Sequence, residues 1–98
     1  MTYTIGMGIQ KDKQKILIGL KKARGLLEKV TRMVEDDQYC INIMQQNLAV
    51  RGLLRSVHQQ VMRNHLSTCF AEGMASPNHK KQATMIAEII RVNRLVGK

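Results

Sequence analysis

Apolar side chains recur at helical spacing along most of this chain, and a single proline, Pro77, interrupts the pattern. Proline is the residue that most reliably ends a helix, so the chain before it is free to be helical. From Lys13 to Glu35 the apolar positions are separated alternately by four and three residues, the repeat of coiled-coil packing. They are Ile16, Leu20, Ala23, Leu27, Val30 and Val34. The pattern predicts a first helix over these residues.

Two further helices are predicted beyond it. Residues 35–38 are acidic and turn-prone, and their carboxylates suit the positive end of the helix that follows. A long second helix is expected from about Gln38 to about Phe70, with Gly73 as its C-cap. A shorter third helix is expected from about Asn78 to Val96. No segment has the pattern of a strand, so the predicted class is all-α, a three-helix protomer with a long central helix.

Length and composition narrow the class of protein further. The 98 residues are expected to form one domain, with residues 1–12 as a flexible N-terminal arm. Aromatic residues make up 3% of the chain, which argues against a β-sandwich or barrel and indicates an aliphatic core. No apolar run reaches the roughly 18 residues of a membrane span, and no signal peptide is visible, so a cytoplasmic location is expected. In the cytoplasm, the two cysteines are expected to be metal ligands, redox-active thiols or buried small side chains rather than a structural disulfide.

The length of the second helix indicates assembly. About 32 residues at about 1.5 Å each make a helix of about 48 Å. A compact monomer of this size would be only about 34 Å across. We therefore expect the apolar stripe of this helix to be buried against the same helix of a second copy, in an antiparallel homodimer. Gly52, near its middle, would cost about 1 kcal/mol relative to alanine unless it lets the two backbones approach.

Cys40, His65 and Cys69 form the candidate site. His65 and Cys69 are four residues apart, a spacing at which two side chains on one helical face can bind one ion. Cys40 lies 25 residues before His65, and at about 100° per residue the two share a face. The axial separation is about 37 Å, whereas metal bonds are about 2.0–2.3 Å long. The three side chains cannot meet within one straight helix, but they can meet between two antiparallel copies.

Two thiols and one imidazole leave several interpretations open. A cysteine on an apolar face is usually a small buried side chain, and a His/Cys pair at this spacing also arises by chance. If the residues bind metal, soft sulfur ligands favour Cu(I), Zn(II) or an iron–sulfur cluster. Three ligands satisfy Cu(I) but fall short of the four of a closed zinc site. His58 and His79 have no cysteine at ligand spacing and are interpreted as solvated.

The charge of the chain favours a nucleic-acid partner. There are 16 Lys and Arg against 7 Asp and Glu, a net charge of +9. A basic helix surface is often merely solvated, but an imbalance of this size raises the expectation of nucleic-acid binding. Few aromatic side chains are available to stack on bases, so double-stranded DNA is favoured over single-stranded RNA. Contacts to phosphates and to DNA shape are expected to dominate.

Two segments carry a family resemblance, ARGLLEKVTRMVEDDQYCINIMQQNLAVRGLL and VMRNHLSTC. They resemble the bacterial CsoR/RcnR/FrmR-type regulators, and the similarity extends over roughly Lys15 to Cys69. The resemblance implies an antiparallel four-helix-bundle dimer that assembles to a tetramer and represses transcription. In this family the ligand set Cys, His, Cys marks the copper sensors, and Cys40, His65 and Cys69 match it. Persulfide sensors keep both cysteines without the histidine.

The resemblance implies a function and further residues. A copper sensor of this kind binds operator DNA when metal-free and releases it on Cu(I) binding, which derepresses copper-resistance genes. A persulfide- or thiol-stress-sensing repressor using Cys40 and Cys69 is the alternative, and an enzyme is not expected. Tyr39 matches a residue that supports the first ligand. Glu88 matches a supporting glutamate if the proline loop is about three residues longer than usual, whereas direct spacing gives Met85. The family's paired basic motif in the first helix matches Lys21 and Lys22, whereas its basic position in the second helix falls on Ser56, next to Arg55. The residues expected to contact DNA are Lys21, Lys22, Arg24, Arg51 and Arg55.

Overall fold

The computed structural model describes residues 12–96, which contain helices and turns and no strand. The elements in chain order are α1 (Lys13–Glu35), α2 (Cys40–His65), a π-helical turn (Leu66–Phe70), α3 (Ala71–Ala75) and α4 (His79–Val96). The predicted all-α class is confirmed, and the long second helix continues through the π-helical turn into α3. The arm predicted over residues 1–12 lies outside the described residues except for Asp12. No helix in the described range is long and apolar enough to cross a membrane.

The acidic break after α1 is confirmed and has a defined geometry. Asp37 has a φ of 53°, a left-handed conformation that aspartate tolerates better than most residues. Its backbone N–H donates to the Val34 carbonyl at 3.1 Å, and the N–H of Gln38 donates to the Met33 carbonyl at 3.0 Å. These two bonds are the Schellman motif, which satisfies carbonyls that a helix end leaves without partners. The chain is thereby turned back toward α2.

One compact unit contains α1 and the part of α2 up to Arg63. The short turn between them makes the two helices antiparallel neighbours. Their buried side chains are Ile16, Ala23, Val30 and Met33 on α1, and Val50 and Val57 on α2. Half-buried residues complete the stripes, namely Gly19 and Leu26 on α1, and Ile43, Gln46, Leu53 and Gln60 on α2. We call these twelve positions the seam. Each stripe steps alternately by three and four residues, as in a coiled coil.

The seam differs from the stripe that the sequence predicts for α1. Leu20, Leu27 and Val34 are 41%, 50% and 54% exposed, so they lie outside it. The stripe that the sequence predicts and the seam share every seventh residue, namely Ile16, Ala23 and Val30. Apolar periodicity alone therefore does not distinguish between the two stripes. The close approach of α1 to α2 explains the choice, because a Cβ on Gly19 would lie 2.8 Å from the Cγ2 of Val57. Glycine at this seam position leaves the room that Val57 occupies.

A second compact unit runs from Asn64 through the π-helical turn and α3 to α4. Its buried residues are Asn64, Thr68, Cys69 and Gly73. The small α3 packs on α4 at Gly73, where an added Cβ would collide with the sulfur of Met85. Gly73 therefore lies inside a helix, and the prediction that it is a C-cap was wrong. The side chain of Met85 covers it.

The end of α3 and the start of α4 follow from local chemistry. Ser76 has a ψ of 143°, the extended conformation favoured for a residue before proline, so the helix stops at Ala75. The Oδ1 atom of Asn78 accepts the backbone N–H groups of Lys80 and Lys81 at 3.0 and 3.1 Å, which makes Asn78 the N-cap of α4. The predicted start of the third helix is confirmed to within one residue.

Gly19→Ala is expected to destabilise the unit of α1 and α2, although alanine is the better helix former. The new methyl group would crowd Val57, which is buried and stiff at χ1, so we expect a loss of about 1–3 kcal/mol in the free energy of unfolding. Gly25→Ala is the matched control. Nothing lies within 4 Å of a Cβ on Gly25, and we expect a gain of up to about 1 kcal/mol there. Urea unfolding at one protein concentration measures both, and equal gains at the two positions would contradict the packing at Gly19.

Candidate metal site

Cys40 is the first residue of α2, and its side chain is exposed in the single chain. The carbonyl of the preceding Tyr39 accepts the backbone N–H groups of Asn42 and Ile43 at 3.0 and 3.2 Å, so Tyr39 begins the helical hydrogen bonding. The Tyr39 side chain is 69% exposed. The first candidate ligand and its neighbour therefore lie at a helix N-terminus where a second molecule can reach them.

His65 is the last residue of α2 and is half-buried. Its ring contacts the ring of Phe70, with centroids 6.3 Å apart and planes inclined at 52°. Tilted arrangements of this kind are the favourable ones for aromatic rings. The contact pairs the last residue of α2 with the last residue of the π-helical turn.

Cys69 lies in the π-helical turn and is 6% exposed. The hydroxyl of Thr68 donates to the carbonyl of Asn64 at 2.7 Å and lies 3.7 Å from the Cys69 sulfur, within hydrogen-bonding range of sulfur. Cys69 and Cys40 are both thiols in this chain. The two sulfurs differ in surroundings, because one is buried beside a hydroxyl and the other is open to solvent.

His65 and Cys69 lie together in one compact unit, whereas Cys40 belongs to the other. In the part of the chain that the structure describes, no group of three or more His, Cys, Asp or Glu side chains is placed to hold a metal ion. The structure thus places the predicted pair on consecutive helical turns, and the three-residue site stays a prediction.

Met85 and Glu88 are both half-buried on α4. Met85 contacts Gly73, which lies one helical turn beyond Cys69. Met85, one of the two residues that the sequence offers as support for the site, therefore contacts α3. The supporting role of Glu88 stays a prediction.

The basic residues expected to bind DNA are all exposed. They are Lys21, Lys22 and Arg24 on α1, and Arg51 and Arg55 on α2. None of them occupies a seam position, so the packing of α1 on α2 leaves their charges facing solvent. A polyanion can reach these side chains without disturbing the core of the unit.

Two residues near the candidate ligands were not predicted to be part of the site. The hydroxyls of Ser67 and Thr68 both donate to the carbonyl of Asn64, at 3.2 and 2.7 Å. Hydroxyl side chains that bond the backbone one turn earlier compete with helical hydrogen bonding. A Ser-Thr pair inside an apolar helical pattern is the signal that could have indicated a local departure from the α-helix.

The helical fold, a histidine one turn from a buried thiol and the exposed basic side chains are the features expected of a helical metal-sensitive regulator. The chain belongs to the family of metal-sensitive transcriptional repressors, whose model matches residues 12–94. The resemblance found in the sequence is thereby confirmed. The family consists of transcriptional repressors and not of enzymes.

Several copper sensors are similar to this chain. The copper-sensing transcriptional repressor CsoR of Mycobacterium ulcerans is 42% identical over 61 residues, which are 61% of this chain and 52% of that protein. The copper-sensing transcriptional repressor RicR of Mycobacterium tuberculosis is 29% identical over 93 residues, 95% of this chain and 97% of that protein. The crystal structure of the copper-sensing repressor CsoR with Cu(I) from Geobacillus thermodenitrificans matches with a TM-score of 0.78 and 29% identity over 91% of each chain. The chain spans about half the length of the mycobacterial CsoR proteins that it matches.

The two thiols are expected to react at different rates in the native metal-free protein. Cys40 is exposed and Cys69 is 6% exposed, so iodoacetamide should alkylate Cys40 first. Mass spectrometry of peptides taken at successive times measures each rate. Cys40→Ser removes the fast reaction and serves as the control, and both thiols should react alike in urea. Faster alkylation of Cys69 than of Cys40 would contradict the burial described here.

Proposed function

We propose that the protein is a copper(I)-responsive transcriptional repressor that acts in the cytoplasm as a homodimer or homotetramer. It binds operator DNA when metal-free and releases it on Cu(I) binding, which derepresses copper-resistance genes. The observation that carries the proposal is the placement of three soft or borderline donors along one helical run. Cys40 begins α2, His65 ends it, and Cys69 lies in the π-helical turn that follows. The copper-sensing relatives support it.

The donor set suits Cu(I). Two thiolate sulfurs and one imidazole nitrogen are ligands that Cu(I) accepts, and three of them satisfy it. Cys69 is buried and His65 is half-buried, and limited solvent access around the donors tunes a metal site. Bound there, Cu(I) would link the start of α2 in one chain to the end of α2 in the other. The ligands lose thiol protons to solvent when they bind metal.

The site needs two chains in this proposal. A helix of 26 residues such as α2 is about 39 Å long, so one straight copy keeps Cys40 far from His65. Two antiparallel copies of α2 would place Cys40 of each chain beside His65 and Cys69 of the other. Gly52 lies near the middle of α2, and a Cβ added there would meet nothing within 4 Å in the single chain. That side of the helix is therefore open to a second copy.

Exposed apolar residues support assembly. Monomeric proteins rarely expose large continuous apolar surface. Here the exposed apolar residues include Leu20, Leu27 and Val34 on α1, Ile41, Met44, Leu48 and Leu54 on α2, and Ile86, Ile90 and Val96 on α4. The stripes on α1 and α2 are covered in a four-helix-bundle dimer, and the residues on α4 suit a second interface that completes a tetramer.

Electrostatics favours DNA binding but does not explain its release. Four chains of +9 carry +36 in a tetramer, which attracts the phosphate backbone, and Lys21, Lys22, Arg24, Arg51 and Arg55 contact it. Exchanging two thiol protons for one Cu(I) changes a site by only about −1, or about −4 for four sites. The response must therefore be conformational, with the helices that bear the ligands moving relative to each other.

The ligand residues connect the site to this movement. Cu(I) binding brings Cys40 of one chain to His65 and Cys69 of the other. The helices that carry these residues therefore shift across the interface. The imidazole nitrogen of His65 that faces away from the metal can hydrogen-bond a neighbouring group such as Glu88 or Tyr39. The coupling is reciprocal, so DNA weakens copper binding by the free energy with which copper weakens DNA binding, commonly about 1–3 kcal/mol.

Addition of Cu(I) is expected to weaken DNA binding by about 5- to 150-fold. Anaerobic fluorescence anisotropy with a labelled duplex from upstream of the protein's own gene measures the affinity with and without the metal. His65→Ala should bind the duplex when metal-free and lose the response. His58→Ala, an exposed histidine of α2, is the matched control and should respond normally. If saturating Cu(I) leaves the DNA affinity unchanged, the copper-responsive proposal is wrong. If the His65→Ala protein is released from DNA by persulfide but not by Cu(I), the result would indicate the thiol-sensing alternative.

Mixed dimers are expected to show that the site is shared. Cys40→Ser and Cys69→Ser chains should each fail to form the three-ligand site as homodimers. Co-expressed with different affinity tags and purified as the heterodimer, they should regain one Cu(I) site per dimer, because the remaining Cys40 meets the intact His65 and Cys69 of the other chain. Anaerobic titration against a chromophoric Cu(I) chelator counts the sites. A heterodimer without any site would exclude sharing between chains.

A further inference from the structure

The candidate ligands His65 and Cys69 lie on either side of a change in helix type. His65 ends α2, and Cys69 is the fourth of the five residues in the π-helical turn. In a π-helix each carbonyl bonds the N–H five residues on, so a turn holds more residues than in an α-helix. Such turns are rare and occur mostly as single insertions in α-helices, often at functional sites. A local cause should therefore be visible in the side chains.

Two hydroxyl groups supply that cause. Ser67 and Thr68 donate to the same carbonyl, that of Asn64, at 3.2 and 2.7 Å. Asn64 and Thr68 are 3% and 8% exposed, so water has little access to replace the bond between them. Hydroxyls that bond a carbonyl one turn back compete with the backbone N–H for it and bend or widen the helix. The Ser-Thr pair thus stabilises the π-helical turn between the two ligands.

Thr68 has a second contact that Ser67 lacks. Its hydroxyl oxygen lies 3.7 Å from the sulfur of Cys69 as well as 2.7 Å from the Asn64 carbonyl oxygen. A hydroxyl carries one rotatable proton, so this group can donate to either neighbour. The same side chain therefore joins the backbone of the turn to the sulfur of a candidate ligand.

We propose that Thr68 is a positioning residue for the metal site. Through its bonds to the Asn64 carbonyl and the Cys69 sulfur, it fixes the turn that separates His65 from Cys69 and orients the sulfur. The inference rests on the proposed function, in which His65 and Cys69 bind one Cu(I). Metal bonds tolerate only a few tenths of an ångström, so the rotation and rise across this turn decide whether both donors reach the same ion. Hydrogen-bonding partners of metal ligands commonly contribute about 10- to 100-fold to metal affinity.

The test compares variants with and without the hydroxyl of residue 68. Thr68→Val keeps the shape of the side chain and removes both contacts. Its Cu(I) affinity, measured anaerobically by competition with bathocuproine disulfonate, should fall by about 10- to 100-fold. Thr68→Ser retains the hydroxyl and should keep the parent affinity. Ser67→Ala removes the other bond to the same carbonyl but no contact to sulfur, so it should lose less affinity than Thr68→Val.

The controls separate positioning from folding. Circular dichroism and thermal unfolding of the metal-free variants show whether each is folded. If Thr68→Val does not fold, Thr68→Ser and Thr68→Ala differ by one oxygen atom and give the same comparison. Parent-like affinity in folded Thr68→Val or Thr68→Ala, or a loss in Thr68→Ser equal to theirs, would overturn the inference and leave the copper proposal standing. If Cys40→Ser, His65→Ala and Cys69→Ser all keep the Cu(I) affinity of the parent protein, both the copper proposal and the inference about Thr68 are wrong.

Discussion

The packing of α1 on α2 is the constraint on which the other features depend. The seam occupies one face of each helix with alternating steps of three and four residues. Because that face is committed within the chain, the remaining apolar residues of both helices point outward, as Leu20 and Leu27 do. The basic side chains are exposed for the same reason. One choice of stripe thus decides which residues form the core and which face solvent.

Local chemistry explains what could be predicted of the fold. The bounds of α1 followed from apolar periodicity and from an acidic turn that stops the helix within a few residues, and Asn78 marked the start of α4. The choice of stripe could not be predicted, because Ile16, Ala23 and Val30 belong to both candidates. Gly19 decides it through its distance to Val57, a contact between residues far apart in sequence. Gly73 misled for a related reason, since a glycine that makes room for Met85 has the same sequence appearance as a helix cap.

The candidate ligands could be selected from their spacing, but their surroundings could not. Cys40, His65 and Cys69 share a helical face in the sequence, and the family resemblance indicates the same three residues. The sequence does not indicate that Cys69 is buried while Cys40 is exposed. It also conceals the π-helical turn, because one extra residue per turn barely changes an apolar pattern over five positions. The adjacent hydroxyl residues Ser67 and Thr68 are the sequence signal that indicates the turn.

The composition of the seam has a consequence for how readily the helices can slide. Gly19 and Ala23 are small, Gln46 and Gln60 are polar, and the whole chain has one phenylalanine and no tryptophan. Polar residues in a coiled-coil interface define the register of the two helices at a cost in stability. Without bulky rings to interlock, a shifted register differs from the native one by less packing free energy. A regulator that alternates between two arrangements needs them close in free energy, and an interface of small and polar residues favours this.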